Sequence, residues 1–451
     1  MTDRQGPPPT EGDVNLSPQR ARWQEQNLDA ETRDLLAEDA RYFLHQSLST
    51  PCLNALRGCE GPYLEDLQGN RILDFHGNSV HQVGFGHPRV IAAIEAQLHS
   101  LPFCTRRYTN RVAVELARKL TQLAPRDLNK VLFAPGGTSA MGMALKLARA
   151  ATGRFKTISM WDAFHGASLD AISIGGEATF RQGAGPLLPG TEHAPPPDPL
   201  HCPFACASQC NLRCAHYVEY MLEKEGDVAA VVAETVRSTP CIPPPAYWQT
   251  IRAACDRHGA LLILDEIPHC LGRTGTMFTC EHYDVVPDML VIGKGLGGGI
   301  MPLAALIARE PLDVAGGQAL GHYTHEKNPV ACAAGLATIA VLEDEAVLAH
   351  TRELGKHALR RLQAMAERHT CIQEVRGIGL MLGVVLRHAQ GSERADALAD
   401  SVMYGCLSEG LSFKTTMGHI LTLTPPLTIT LEQLDHALDV LDGVLGTVAG
   451  C

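Results

Sequence analysis

A lysine flanked by glycines, Gly293-Lys294-Gly295, follows the short apolar run Met289 to Ile292, and Asp265 closes a second such run, Leu261 to Leu264. A lysine in that setting binds phosphate, forms an imine with a carbonyl compound, or lies in a surface loop. The string Gly293-Lys294-Gly295-Leu296-Gly297-Gly298 satisfies G-x-G-x-x-G, but Gly299-Ile300-Met301-Pro302 follows where the helix of a dinucleotide fold would begin. No Ser or Thr follows Lys294, so a nucleotide P-loop fails as well. Asp265 supplies half of a different chemistry, in which a carboxylate keeps a pyridine nitrogen protonated while a lysine amine holds an aldehyde as an imine. That pair points to pyridoxal 5'-phosphate. The Gly136-Gly137-Thr138 turn, running into a helix with apolar spacing at Met141, Leu145 and Ala148, offers N–H groups and a hydroxyl to the phosphate.

The elements that must position these residues alternate between short apolar runs and amphipathic helical stretches from about Asp74 onward, the pattern of a mostly parallel α/β sheet. Val131 to Phe133 leads to the glycine turn, Ala230 to Ala233 ends in Glu234, and the other two runs end at Asp265 and Lys294. In doubly wound sheets, ligands bind beyond the carboxyl ends of strands, so these four ends are expected to line one crevice. The expected organisation is a mobile arm over 1–26, the first part of a small domain over 27–73, a large cofactor-binding domain over 74–330, and a C-terminal small domain over 331–451.

With 451 residues, 45% hydrophobic and 19% charged, the chain has the composition of a soluble globular protein with a large core. Its 38 Lys+Arg against 49 Asp+Glu give a net charge of −11, which disfavours nucleic acid as a partner. No apolar stretch reaches the roughly 18 residues of a membrane span, and the N-terminal segment lacks the apolar region of a signal peptide. A cytoplasmic location is expected, with most of the 15 cysteines reduced.

From Gly61-Pro62-Tyr63-Leu64 to Pro425-Pro426-Leu427-Thr428-Ile429 the chain resembles the class III (ornithine/ω-amino acid) aminotransferase branch of fold-type I pyridoxal-phosphate enzymes. Leu264-Asp265-Glu266-Ile267, Gly272-Arg273-Thr274-Gly275, Pro287-Asp288 and Gly293-Lys294-Gly295 carry the likeness most specifically. The resemblance implies a large doubly wound, mostly parallel sheet domain plus a smaller α+β domain formed by both termini. It implies Lys294 as the Schiff-base lysine, Asp265 as the pyridinium partner, and Ile267 and Phe164 on the two ring faces. Gly137 and Thr138 match the phosphate cup, and His165 and Glu234 are grouped with the cofactor contacts, a purely structural His165 being the alternative. Thr324 matches a threonine that reaches the phosphate of the other subunit, so a homodimer is implied.

The chain departs from that branch where carboxylates are recognised. The arginine three residues before Pro-Pro-Leu is Thr422, the second glutamate of the usual Glu-Pro-Val-Gln-Gly-Glu is Thr239, and the glutamine after Asp-Glu-Ile is Pro268. Loss of both halves of a buried ion pair is coherent, since either half alone is costly, and it argues against general use of 2-oxo acids. Positive charge is gained at Arg106, Arg107 and Arg237, which are expected to hold the anionic end of a small amine substrate. His76-Gly77-Asn78-Ser79-Val80-His81 and Thr324-His325-Glu326-Lys327-Asn328-Pro329 are similar to the subgroup of (R)-1-hydroxy-2-aminoethylphosphonate ammonia-lyases. That likeness implies loss of ammonia from a hydroxy-amino phosphonate, the alternative being amino transfer between a small amine and a 2-oxo acid. Cys202, Cys206, Cys210 and Cys214 recur every four residues in an insertion over 195–216; packed reduced thiols, a metal site and disulfides all suit them.

Overall fold

The computed structural model describes residues 17–206, 210–388 and 395–448. Seven strands make the large sheet: β1 (Leu128–Ala134), β2 (Lys156–Met160), β3 (Thr191–Ala194), β4 (Val228–Glu234), β5 (Leu261–Asp265), β6 (Met289–Ile292) and β7 (Ala304–Arg309). Their order is β1-β7-β6-β5-β4-β2-β3. The pairs from β6 to β3 are parallel, while β7 runs antiparallel to both of its neighbours. All seven residues of β4 are buried, as expected of a strand covered on both faces. The helix Gly137–Thr152 buries Ala140 to Leu145, Leu147 and Ala148 against this sheet, and Gly153 closes it at φ 66°, where a side chain would be strained.

The chain divides into a unit of His87–Leu348, which contains the large sheet, and a unit of Met1–Gly86 with Ala349–Cys451. The boundaries thus fall at 86/87 and 348/349 rather than near 73 and 330. In the second unit, Leu56–Glu60, Tyr63–Asp66, Arg71–Asp74 and Leu411–Ser412 form one sheet, the last pairing in parallel with Arg71–Asp74. Ile372–Ile378, Met381–Leu386, Ile420–Leu423 and Lys414–Thr416 form an antiparallel second sheet. Sequence from both ends of the chain therefore builds the small α+β unit.

One expectation about the N-terminus is corrected. Residues 18–26, read as part of a mobile arm, belong to a helix, Pro18–Asn27, started by Ser17, whose hydroxyl accepts the Arg20 N–H at 3.0 Å. Trp23 is buried near Tyr404, with ring centroids 6.4 Å apart, and Gln19 donates to Ser401 at 2.8 Å. So short and polar a helix shows no apolar stripe in sequence; it is held by one buried aromatic, its cap and side-chain hydrogen bonds from Gln19, Arg20 and Gln24. The remainder of the expected arm, residues 1–16, lies outside the described residues.

Candidate active site

Register brings the strand ends together. Glu234 pairs with Asp265 across β4 and β5, and Asp265 pairs with Val291 across β5 and β6. Lys294 stands two residues beyond Ile292, half-buried, with φ 46°. A left-handed lysine costs on the order of 1–3 kcal/mol, a strain that folds retain mostly at functional positions.

Asp265 is 2% exposed, and both its oxygens are used: Oδ2 lies 2.8 Å from Nδ1 of His165, and Oδ1 accepts the Ile267 N–H at 3.0 Å. The His165 ring is fully buried, with Nε2 3.4 Å from the Ser159 hydroxyl. Burial opposes its protonation, but the hydrogen bond and charge of Asp265, with Glu234 nearby, outweigh that and raise its pKa. The two side chains form a buried hydrogen-bonded pair at the strand end. Glu234 accepts the Phe164 N–H at 3.2 Å and the Ser238 N–H at 3.3 Å, so it fixes the turn that carries His165.

Glycines mark where the site is tight. A methyl group at Gly137 would come within 2.5 Å of Ile267 Cδ1, and one at Gly293 within 3.4 Å of Ile267 Cγ2. Gly166, at φ 124°, lies against Thr138, whose Oγ1 would be 2.3 Å from an added Cβ. Ile267, Gly137, Gly293, Thr138 and Gly166 therefore converge at the ends of β5 and β6 and the start of the helix Gly137–Thr152. Pyridoxal 5'-phosphate suits this set: a helix N-terminus with a hydroxyl for the phosphate, a branched apolar side chain for a ring face, a buried carboxylate and a lysine. Phe164 packs against Phe180 with the rings tilted by 38° and their centroids 4.4 Å apart.

Other expected residues are placed differently. The Arg237 guanidinium lies 3.7 Å from Glu177 and 3.9 Å from Glu234 and is only 11% exposed, so protein carboxylates face it. Sequence reasoning missed Glu177, which is 1% exposed; an acid following Gly175-Gly176 carries no motif to announce it. Arg106, Arg107 and Thr324 are exposed. They lie on a surface formed by two segments in contact: Arg106 packs against His322, Phe103 against His325, and Asn110 donates to the Lys327 carbonyl at 3.0 Å. Thr239 is buried in the large unit, and Thr422 is buried in the small unit with its hydroxyl 2.8 Å from that of Thr416. Cys202, Cys206, Cys210 and Cys214 are free thiols lining one small cavity with Pro197, Asp198, Pro199 and Pro244, and of the four only Cys214 is helical. Among the described residues no group of three or more His, Cys, Asp or Glu is arranged to hold a metal ion.

Comparison with known proteins agrees with this geometry. The family model for "Aminotransferase class-III" matches residues 46–445. The chain is 47% identical to the (R)-1-hydroxy-2-aminoethylphosphonate ammonia-lyase of Vibrio splendidus, over 97% of this chain and 95% of that one. It is 36% identical to an acetylornithine aminotransferase of Methanopyrus kandleri, over 84% and 91% of the two chains. Among solved structures, the taurine:2-oxoglutarate aminotransferase of Bifidobacterium kashiwanohense, in complex with PLP and glutamate, superposes with a TM-score of 0.85 at 27% identity, covering 93% of this chain and 99% of that one. The strand-end lysine and aspartate, the glycine-lined helix start and the matched span together make this chain a member of the class III aminotransferase family, a pyridoxal-phosphate enzyme of fold type I.

Proposed function

We propose that this protein is an ammonia-lyase acting on a small hydroxy-amino phosphonate, with (R)-1-hydroxy-2-aminoethylphosphonate as favoured substrate and phosphonoacetaldehyde and ammonia as products. The observation that carries the reading is 47% identity to an enzyme of that activity along nearly the whole of both chains. Thr239 and Thr422 support it, since neither of these buried, neutral residues offers a charge to a 2-oxo acid.

Bound pyridoxal phosphate supplies an electron sink conjugated to the substrate's nitrogen. Lys294 would hold the cofactor's aldehyde and, with its amine free, would take the proton from the amino-bearing carbon. Asp265, held by His165 and the Ile267 N–H, would set its carboxylate against the ring nitrogen. The hydroxyl of the neighbouring carbon would leave as water with that proton, and one water taken up later would give the aldehyde and free ammonia. Water lost is water regained, and no second substrate enters. Gly137 and Thr138 hold the phosphate, while Ile267 and Phe164 confine the ring. Arg106 and Arg107 bind the phosphonate, and the enzyme works as a cytoplasmic homodimer in which Thr324 reaches the partner's cofactor. Among the described residues no helix is long and apolar enough to cross a membrane.

Amino transfer to a 2-oxo acid is the competing reading, favoured by the names of several relatives. Incubating the holoenzyme with the hydroxy-amino phosphonate, with and without 2-oxoglutarate, and measuring ammonia separates the two. A lyase releases ammonia without the oxo acid; a transaminase consumes the oxo acid in equal amount to product.

A further inference from the structure

Two buried carboxylates stand behind the turn that carries Phe164 and His165. Glu177 reaches that turn through its backbone, since its N–H and that of Gly176 both donate to the Ala163 carbonyl, at 3.3 and 2.9 Å. The approach is close: a methyl group on Gly176 would fall 2.3 Å from the Met160 carbonyl oxygen. Glu234 reaches the same turn through its side chain, accepting the Phe164 N–H at 3.2 Å. Arg237 lies within 4 Å of both carboxylates. Their side chains are 1% and 3% exposed, so Arg237 brings positive charge to two carboxylates in a poorly solvated wall, where a charge is costly to leave without one.

We infer that Arg237 and Glu177, with Glu234, form an internal clamp that holds the turn 163–165 and thereby positions His165 on Asp265, and that Arg237 is a positioning residue rather than a receptor for the substrate's anion. The clamp also fixes the electrostatic setting of the His165–Asp265 pair. The charged and titratable groups facing His165 are Asp265 from β5, Glu234 and Arg237 from β4 and the loop after it, and His193 from β3, with Arg181 2.9 Å behind His193. Glu234 favours the proton on His165 and Arg237 opposes it, so removing Arg237 alone leaves His165 facing surplus negative charge. The inference rests on the lyase reading only for the choice of substrate.

A double-substitution cycle over Arg237→Gln and Glu177→Gln tests it, with Arg237→Lys as the conservative control. Three readouts are needed: melting temperature of the cofactor-free protein, the pH titration of the bound cofactor's visible absorbance, and the KM and kcat for the hydroxy-amino phosphonate. Each single substitution is expected to lower the melting temperature by several degrees, with the double variant less affected than the sum of the two. Arg237→Gln is expected to lower kcat about tenfold while changing KM less than threefold, to shift the absorbance titration, and to be partly rescued by adding Glu177→Gln. Arg237→Lys is expected to keep most of the activity. A KM raised tenfold or more by Arg237→Gln with kcat unchanged, or melting temperatures that add without coupling, would overturn the clamp. Melting and titration require no substrate, so their outcome is independent of whether the wild-type enzyme releases ammonia from the phosphonate.

Discussion

Lys294 is the residue on which every catalytic statement depends. Lys294→Ala is expected to abolish turnover and the visible band of the lysine-bound cofactor; steady-state activity retained in that variant would refute its role. Asp265→Asn should leave the band but slow turnover by at least about a hundredfold, because the ring nitrogen loses its charged partner and His165 loses the group that holds its proton. The His165 effect has a defined sign. A histidine with a raised folded-state pKa contributes stability that is fully present below its unfolded value, near 6.5, and is lost as pH rises through the folded value. Urea unfolding from pH 6 to pH 9 should therefore show a loss of stability on the alkaline side that His165→Asn lacks, both proteins being in the same cofactor state. Equal slopes would mean that the buried histidine is neutral. At this scale the sequence was most informative for Lys294 and Asp265, because each ends an apolar run and their types restrict the chemistry. It gave no sign that Arg237, a new cation read as a ligand for substrate, also faces Glu177, a partner distant in the chain that no spacing reveals.

The elements explain why the site is assembled at all. Continuous apolar runs such as Val228–Glu234 and Met289–Ile292 are legible as strands because burial on both faces leaves no polar alternation to confuse them. The antiparallel β7 is buried except at its last residue, Arg309, which pairs with Asp288 rather than serving the site, and the helix Pro18–Asn27 offers little apolar patterning, so neither was apparent. Glycine at the junctions is a steric requirement rather than a flexible link. Gly166→Ala puts a methyl group into the Thr138 side chain at a left-handed φ, and is expected to cost about 2–3 kcal/mol of stability, visible as a lower denaturation midpoint with a weakened cofactor affinity. Gly137→Ala meets the Ile267 side chain, Cδ1 most closely, without a left-handed φ, so it should weaken cofactor binding with a smaller loss of stability. The reverse ranking would contradict the assigned contacts.

At the scale of the whole chain, the likeness to class III enzymes extends over residues 46–445, and both termini build the small α+β unit. Such a framework serves aminotransferases and an ammonia-lyase alike, so the fold does not select the reaction. The lyase reading rests on the 47% identity to an enzyme of that activity, and Thr239 and Thr422 support it, a charge-assisted contact that neither residue can make being worth roughly 1.5–3 kcal/mol, or about one to two decades in affinity for a 2-oxo acid. The most direct measurement is the number of ammonia molecules released per active site from (R)-1-hydroxy-2-aminoethylphosphonate when no oxo acid is present. The account predicts many turnovers, with phosphonoacetaldehyde formed in equal amount and the cofactor left in its aldehyde form. A reaction that stops after one equivalent per site with the cofactor converted to its amine, and resumes only on addition of 2-oxoglutarate or pyruvate, would contradict it.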